Sequence, residues 1–333
     1  MRTRYLPQKV ALGGLGLLAV AAVIAGLDGW GQPAANEQAI GAASRWCERV
    51  SGGYLREPVN TLGNLGFVIS GLAMFVMLGK DEASRAPRTN RFIGHQPLIL
   101  LFASAALFLG PGSMAMHGSH TRFGAWLDNL SMICFILIPW LINVADMARW
   151  TTRTLFVSYG SLVGLYGLGY WFAGPDLGIG LDLFGLSIGL WVTSEALYRW
   201  HSPAMRALSG LVGFAMAAAF GVLPGEIFSN LDQYWWVALF WLPGLLATHA
   251  PPGRRTYVPW FWLGMVSFIS AYAIWLTGTA DHPWCSPDSL IQAHAIWHIL
   301  GAVATWCFFL FLRTEQSVDA DTDIEVSADV MPG

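Results

Sequence analysis

Hydrophobic positions along this chain run together in long blocks separated by short polar stretches. About 18 or more mostly apolar residues suffice to cross a bilayer as a helix. By that measure ten segments stand out, at roughly 10–27, 59–79, 95–116, 126–147, 154–173, 179–199, 207–223, 233–249, 257–278 and 290–312. The seventh and eighth are short, and the sixth carries Asp182 and Glu195. The pattern predicts an all-α polytopic membrane protein of about ten transmembrane helices. Residues 1–28 read as an N-terminal segment with an anchor helix, 29–58 as an outer loop and 59–313 as the membrane domain. Residues 314–333 carry six acidic residues and little hydrophobic mass, so they are expected to be a disordered tail.

The polar stretches between blocks test this reading, because cytoplasmic loops collect Lys and Arg. With the N-terminus inside, one face receives Arg2, Arg4, Lys9, Lys80, Arg85, Arg88, Arg91, Arg149, Arg153, Arg199, Arg206, Arg254, Arg255 and Arg313. The other receives only Arg45, Arg49, Arg56 and Arg122. A misread parity would not sort the charges so unevenly, so both termini are expected to be cytoplasmic, with a bacterial inner membrane the natural setting. The basic start at Met1–Lys9 also suits a signal peptide, but no small-x-small cleavage site precedes Gly29, which favours an uncleaved anchor.

Composition agrees with the pattern. Of 333 residues, 55% are hydrophobic and only 12% charged, against roughly 25% charged in soluble domains. A net charge of -3 gives no sign of nucleic-acid binding. Four cysteines in such a chain make no disulfide scaffold. No internal repeat, phosphate loop or nucleotide fingerprint is present.

Against this apolar background, His294 and His298 lie four apart near the start of the last block, on one helical face. Ionisable side chains at membrane depth are costly and mark functional candidates. The pair suits one metal ion if a third ligand arrives from elsewhere, and equally suits two hydrogen-bonded core histidines. At the same membrane level the third block ends with Ser113 and His117, again four apart, and the fourth opens with Asp128. Three neutral imidazoles hold zinc with one position open, as a catalytic site requires. Zinc there makes water a nucleophile at mild pH. Asp128 is then placed to move the proton, and Ser113 to stabilise an oxyanion. The plainer alternatives are a Ser113 hydroxyl bonded back to its helix and an Asp128 that caps its helix. His120 reads as a bystander near the surface, and His95, His201 and His249 fall at the opposite face. His282 reads as a rim residue.

Cys47 and Cys285 both fall in outer loops, where an oxidising compartment allows them to pair. Cys134 and Cys307 lie inside blocks and read as small apolar fillers.

Three stretches together resemble the alkaline ceramidase family, within the wider group of zinc-dependent membrane hydrolases that includes GPI-remodelling lipases and adiponectin-receptor-like proteins. They are Trp46-Cys47-Glu48 with the downstream Glu57-Pro-Val-Asn60-Thr61, Ser113 to His117 with Asp128 eleven residues on, and Gln292 to His298. The resemblance implies zinc on His117, His294 and His298, an active-site pair in Ser113 and Asp128, and the same Cys47–Cys285 bridge. It implies a seven-helix core, with one extra span at the N-terminus and roughly two in the middle. It also implies calcium near Trp46, Glu48 and Glu57, although Arg45 stands where the family has an acidic ligand and Val50 where it has an amide. The expected activity is hydrolysis of the N-acyl amide of a ceramide-like membrane lipid. Alternatives from the same residues are a zinc-dependent lipid esterase, a non-catalytic receptor with a structural metal, and a haem protein, the last distinguished by a Soret band.

Overall fold

The computed structural model describes residues 4–31, 37–84, 90–219 and 224–317. The expected tail from 318 onward and Arg85 and Arg88 lie outside the described residues. Within the described residues every apolar block is largely helical. In order these are α1 (Leu6–Leu27), α2 (Pro58–Gly63), α3 (Leu65–Ser84), α4 (Pro97–Ser119), α5 (Arg122–Met147), α6 (Thr152–Ala173), α7 (Leu183–Arg199), α8 (Pro203–Ala219), α9 (Pro224–Ser229), a 3-10 helix (Trp235–Trp241), α10 (Leu242–Leu246), α11 (Trp260–Leu276) and α12 (Ala293–Leu312).

Among the described residues, five stretches are long and apolar enough to cross a membrane: α1, α2 with α3, α4, α5 and α12. The remaining blocks are helical but shorter or more polar than a full span asks for. The eighth block changes from a 3-10 helix into a five-residue α-helix at Leu242–Leu246 rather than forming one continuous rod. Proline opens α4 and the short α2 and α10, where its missing N–H costs nothing.

The chain divides into two compact units, the first comprising Met1–Ser131 with Arg255–Gln316 and the second Met132–Arg254. The first unit packs α12 against α3 and α11, and α3 against α4. Small residues set these spacings. A Cβ on Gly71 would stand 2.6 Å from the Leu107 Cα, so α3 and α4 touch backbone to backbone there. A Cβ on Gly63 would lie 2.9 Å from the Ala295 Cα, which seats α2 beside the start of α12.

One end of this unit is held by ions: Arg313 binds Asp81 at 2.7 Å, while Arg91 and Arg255 both bind Glu315 at 3.0 Å. At the other end the loop through residues 37–57 is fastened to the loop before α12. Cys47 and Cys285 form the disulfide expected from their loop positions, with Cα atoms 5.5 Å apart. Beside it Arg49 makes a forked pair with both Asp288 oxygens, at 2.5 and 2.6 Å. Cys134 and Cys307 are free thiols.

In the second unit the buried residues Met147, Leu197 and Ala247 form a small cluster. Asn143, also buried, donates to Glu195 at 2.9 Å and to Ser194 at 3.2 Å, which gives the acidic residue of α7 a polar partner.

Candidate metal centre

Two helix ends build the site. His117 lies in the last turn of α4, which stops at His120 in a left-handed conformation (φ 53°). His294 and His298 lie on the first two turns of α12, whose approach is fixed by Gln292, buried and donating to the Ser286 and Ser289 carbonyls. All three imidazoles are buried, at 2%, 5% and 5% exposure. The Nε2 of His117 lies 3.1 Å from that of His294 and 3.4 Å from that of His298. One nitrogen from each ring falls within 4.8 Å of the others, so this group could hold a metal ion.

The spacing suits zinc. Nitrogens about 2.0–2.1 Å from a tetrahedral zinc stand about 3.3–3.4 Å apart. Three converging imidazole nitrogens also cannot all satisfy one another, since each pair needs one proton between them. A cation that accepts all three lone pairs removes that conflict.

Glu57 orients His117. Its Oε2 binds the His117 Nδ1, leaving Nε2 to face the other two rings. Its Oε1 lies 3.2 Å from the His120 Nε2, and the His120 Nδ1 lies 3.1 Å from Glu37, which pairs with Arg45 at 2.6 Å. Burial alone would push the Glu57 carboxyl up, but the two imidazoles hold it well below the usual carboxylate range. His120 is thus no bystander at the surface: it is buried and bridges two glutamates. Its position three residues after His117 at a helix end was the available signal, but the left-handed turn that swings it inward is not written in spacing.

The residues linked by resemblance to calcium have protein partners of their own. Both Glu48 oxygens accept backbone N–H groups at the start of α2, from Val59 and Asn60 at 2.7 Å each. Burial pushes the Glu48 carboxyl up against the opposing pull of those amides. Trp46 lays its ring on the His294 imidazole, with centroids 4.4 Å apart and planes inclined by 17°.

Ser113 and Asp128 reach the same region. The Ser113 hydroxyl is buried and makes no hydrogen bond back to its helix. The Asp128 carboxyl lies within electrostatic reach of His117 and Ser113. The helix carrying Asp128 begins at Arg122, four residues earlier than its apolar block, with Thr121 accepting from the Gly124 N–H at 3.0 Å. Asp128 therefore stands in the second turn of α5 and does not cap it. His95 sits at the other end of the first unit, its backbone N–H donating to Glu82, and His282 stacks edge-on against Trp284 in the loop.

A histidine triad, a carboxylate paired behind one of its rings, a buried hydroxyl and a nearby aspartate form a set able to polarise and hydrolyse a carbonyl compound. Comparison with curated proteins found no match to the chain. A family model described as Ceramidase matches residues 39–328, a stretch that includes every site residue from Trp46 to His298. The chain belongs to the ceramidase family.

Proposed function

We propose that this protein is a membrane-embedded, zinc-dependent hydrolase that cleaves the N-acyl amide bond of ceramide-like lipids. The observation that carries this reading is the convergence of the His117, His294 and His298 Nε2 atoms, with the buried Ser113 hydroxyl and Asp128 beside His117. When bound, zinc polarises the amide carbonyl and brings water into play as a nucleophile near neutral pH.

The chain's own residues account for the rest. Glu57 accepts the Nδ1 proton of His117 and so fixes the tautomer that offers Nε2 inward. Asp128 takes a proton from the attacking water and returns it to the departing amine, so one water is consumed and a fatty acid and an amine are released. Ser113, whose buried hydroxyl lies beside Asp128, donates it to the carbonyl oxygen as negative charge develops there. The lipid reaches the site from the bilayer, with its acyl chain among the helices. The excess of Lys and Arg in alternate loops supports cytoplasmic termini, with the histidines towards the opposite face of a bacterial inner membrane.

Metal content measured together with ceramide turnover tests the reading, for wild type and His294→Ala. Zinc near one equivalent with fatty acid release, both lost in the variant, is expected. Bound zinc with no turnover of any amide or ester lipid would overturn the enzymatic reading.

A further inference from the structure

The histidines of the centre are held in unlike ways. His117 is fixed at Nδ1 by Glu57. The Nδ1 of His294 is buried and has no hydrogen-bond partner. Besides the His117 and His298 rings, with centroids 4.7 and 4.6 Å away, that ring meets the face of Trp46, nearly parallel at 4.4 Å and itself tilted against Trp275 at 5.4 Å. Trp46 belongs to no helix, so its placement depends on the loop.

That loop is constrained beside it. Cys47 has φ 74°, in the left-handed region that residues with a Cβ avoid. The turn is closed by the Cys47 N–H donating to the Ser44 carbonyl at 2.9 Å and the Ser44 N–H to the Glu48 carbonyl at 2.8 Å. It sends two successive side chains to separate partners on the last third of the chain, the indole to His294 and the sulfur to Cys285. Unfavourable backbone conformations persist where the surroundings over-determine them, and they gather at functional sites.

We propose that Trp46 is a positioning residue for the metal centre. Its indole holds the His294 imidazole in the orientation that brings Nε2 to the other two nitrogens, doing by stacking what a hydrogen bond at Nδ1 would otherwise do. The Cys47–Cys285 bond holds the indole in register. The inference rests on the zinc reading and adds to it a residue that touches neither metal nor substrate.

The test uses the full chain in detergent, with zinc affinity measured by chelator competition and ligand geometry by the visible spectrum of the cobalt(II)-substituted protein. Trp46→Leu should weaken zinc binding about 10–100-fold, the range for residues that orient a ligand, and alter the cobalt spectrum. Trp46→Phe, which keeps a stacking face, should recover most of both. Cys47→Ser with Cys285→Ser should shift affinity in the same direction as Trp46→Leu. Thermal unfolding of the metal-free proteins separates positioning from folding. Trp46→Leu with wild-type affinity and spectrum would overturn the proposal. So would a loss that Trp46→Phe does not restore and that follows the fall in metal-free stability. Wild-type protein that binds no zinc would overturn the zinc reading itself, whereas zinc bound tightly but indifferently to residue 46 refutes only the role of Trp46.

Discussion

Glu57 binds His117 at Nδ1, the ring nitrogen opposite the one that meets His294 and His298. The carboxylate therefore sets both the tautomer and the tilt of one ligand from behind. Glu57→Gln keeps the shape and removes the charge, and should weaken zinc binding about 10-fold, with Glu57→Ala nearer 100-fold. Chelator competition reads both, and unchanged affinity in Glu57→Ala would remove this role.

Ser113 and Asp128 should separate chemistry from metal binding. Asp128→Asn should keep its zinc while kcat falls about 10²–10⁴-fold, the span for a proton-transfer group. Ser113→Ala should lower kcat about 10²–10³-fold with little change in KM, because its bond forms as the oxyanion develops. Turnover at the wild-type rate in either variant would sink the corresponding assignment.

Backbone contact between α3 and α4 leaves no room at Gly71, where a Cβ would meet Leu107 at 2.6 Å. Gly71→Val must push the helices apart and should cost about 1–3 kcal/mol. A lowered unfolding temperature in detergent is the expected result. An unchanged one would mean that the two helices are free to separate at that level.

The Arg49–Asp288 pair beside the disulfide is exposed, and the guanidinium holds the Asp288 carboxyl below its ordinary value. A carboxyl lowered on folding adds stability above its unfolded pKa of about 3.9 and loses it as pH falls through the folded value. Asp288→Asn should therefore be slightly less stable than wild type at neutral pH, and the two should converge on acidification. Exposed pairs contribute little. A gap that widened in acid would contradict the assignment.

Much of the centre was legible because helix spacing is local. His294 and His298 had to share a face, as did Ser113 and His117, and charge sorting along the chain predicts one membrane level for both pairs and for Cys47 and Cys285. The relations that escaped are those made by loops. Nothing in the spacing of Trp46 says that its ring lies on His294, or that His120 turns inward between Glu37 and Glu57. Each depends on a left-handed residue, Cys47 or His120, whose side chain ordinarily disfavours that conformation. The eighth apolar block shows the opposite failure. Its hydrophobicity suggests one rod, but Pro243 stands two residues past the tryptophan-rich run, in the first turn of a new short helix.

The disulfide joins residues 238 positions apart. The covalent ring it closes contains α2 through α11, the whole stretch Met132–Arg254 included. A protease cutting the exposed turn at 174–178 would thus yield a molecule that migrates as two pieces only after reduction, with His117 and His294 still tied through the bridge. Order of synthesis follows from the same ring. His117 is made early, yet the triad and the bridge both wait for the segment that carries Cys285 and α12, so the centre is among the last features of the fold to close.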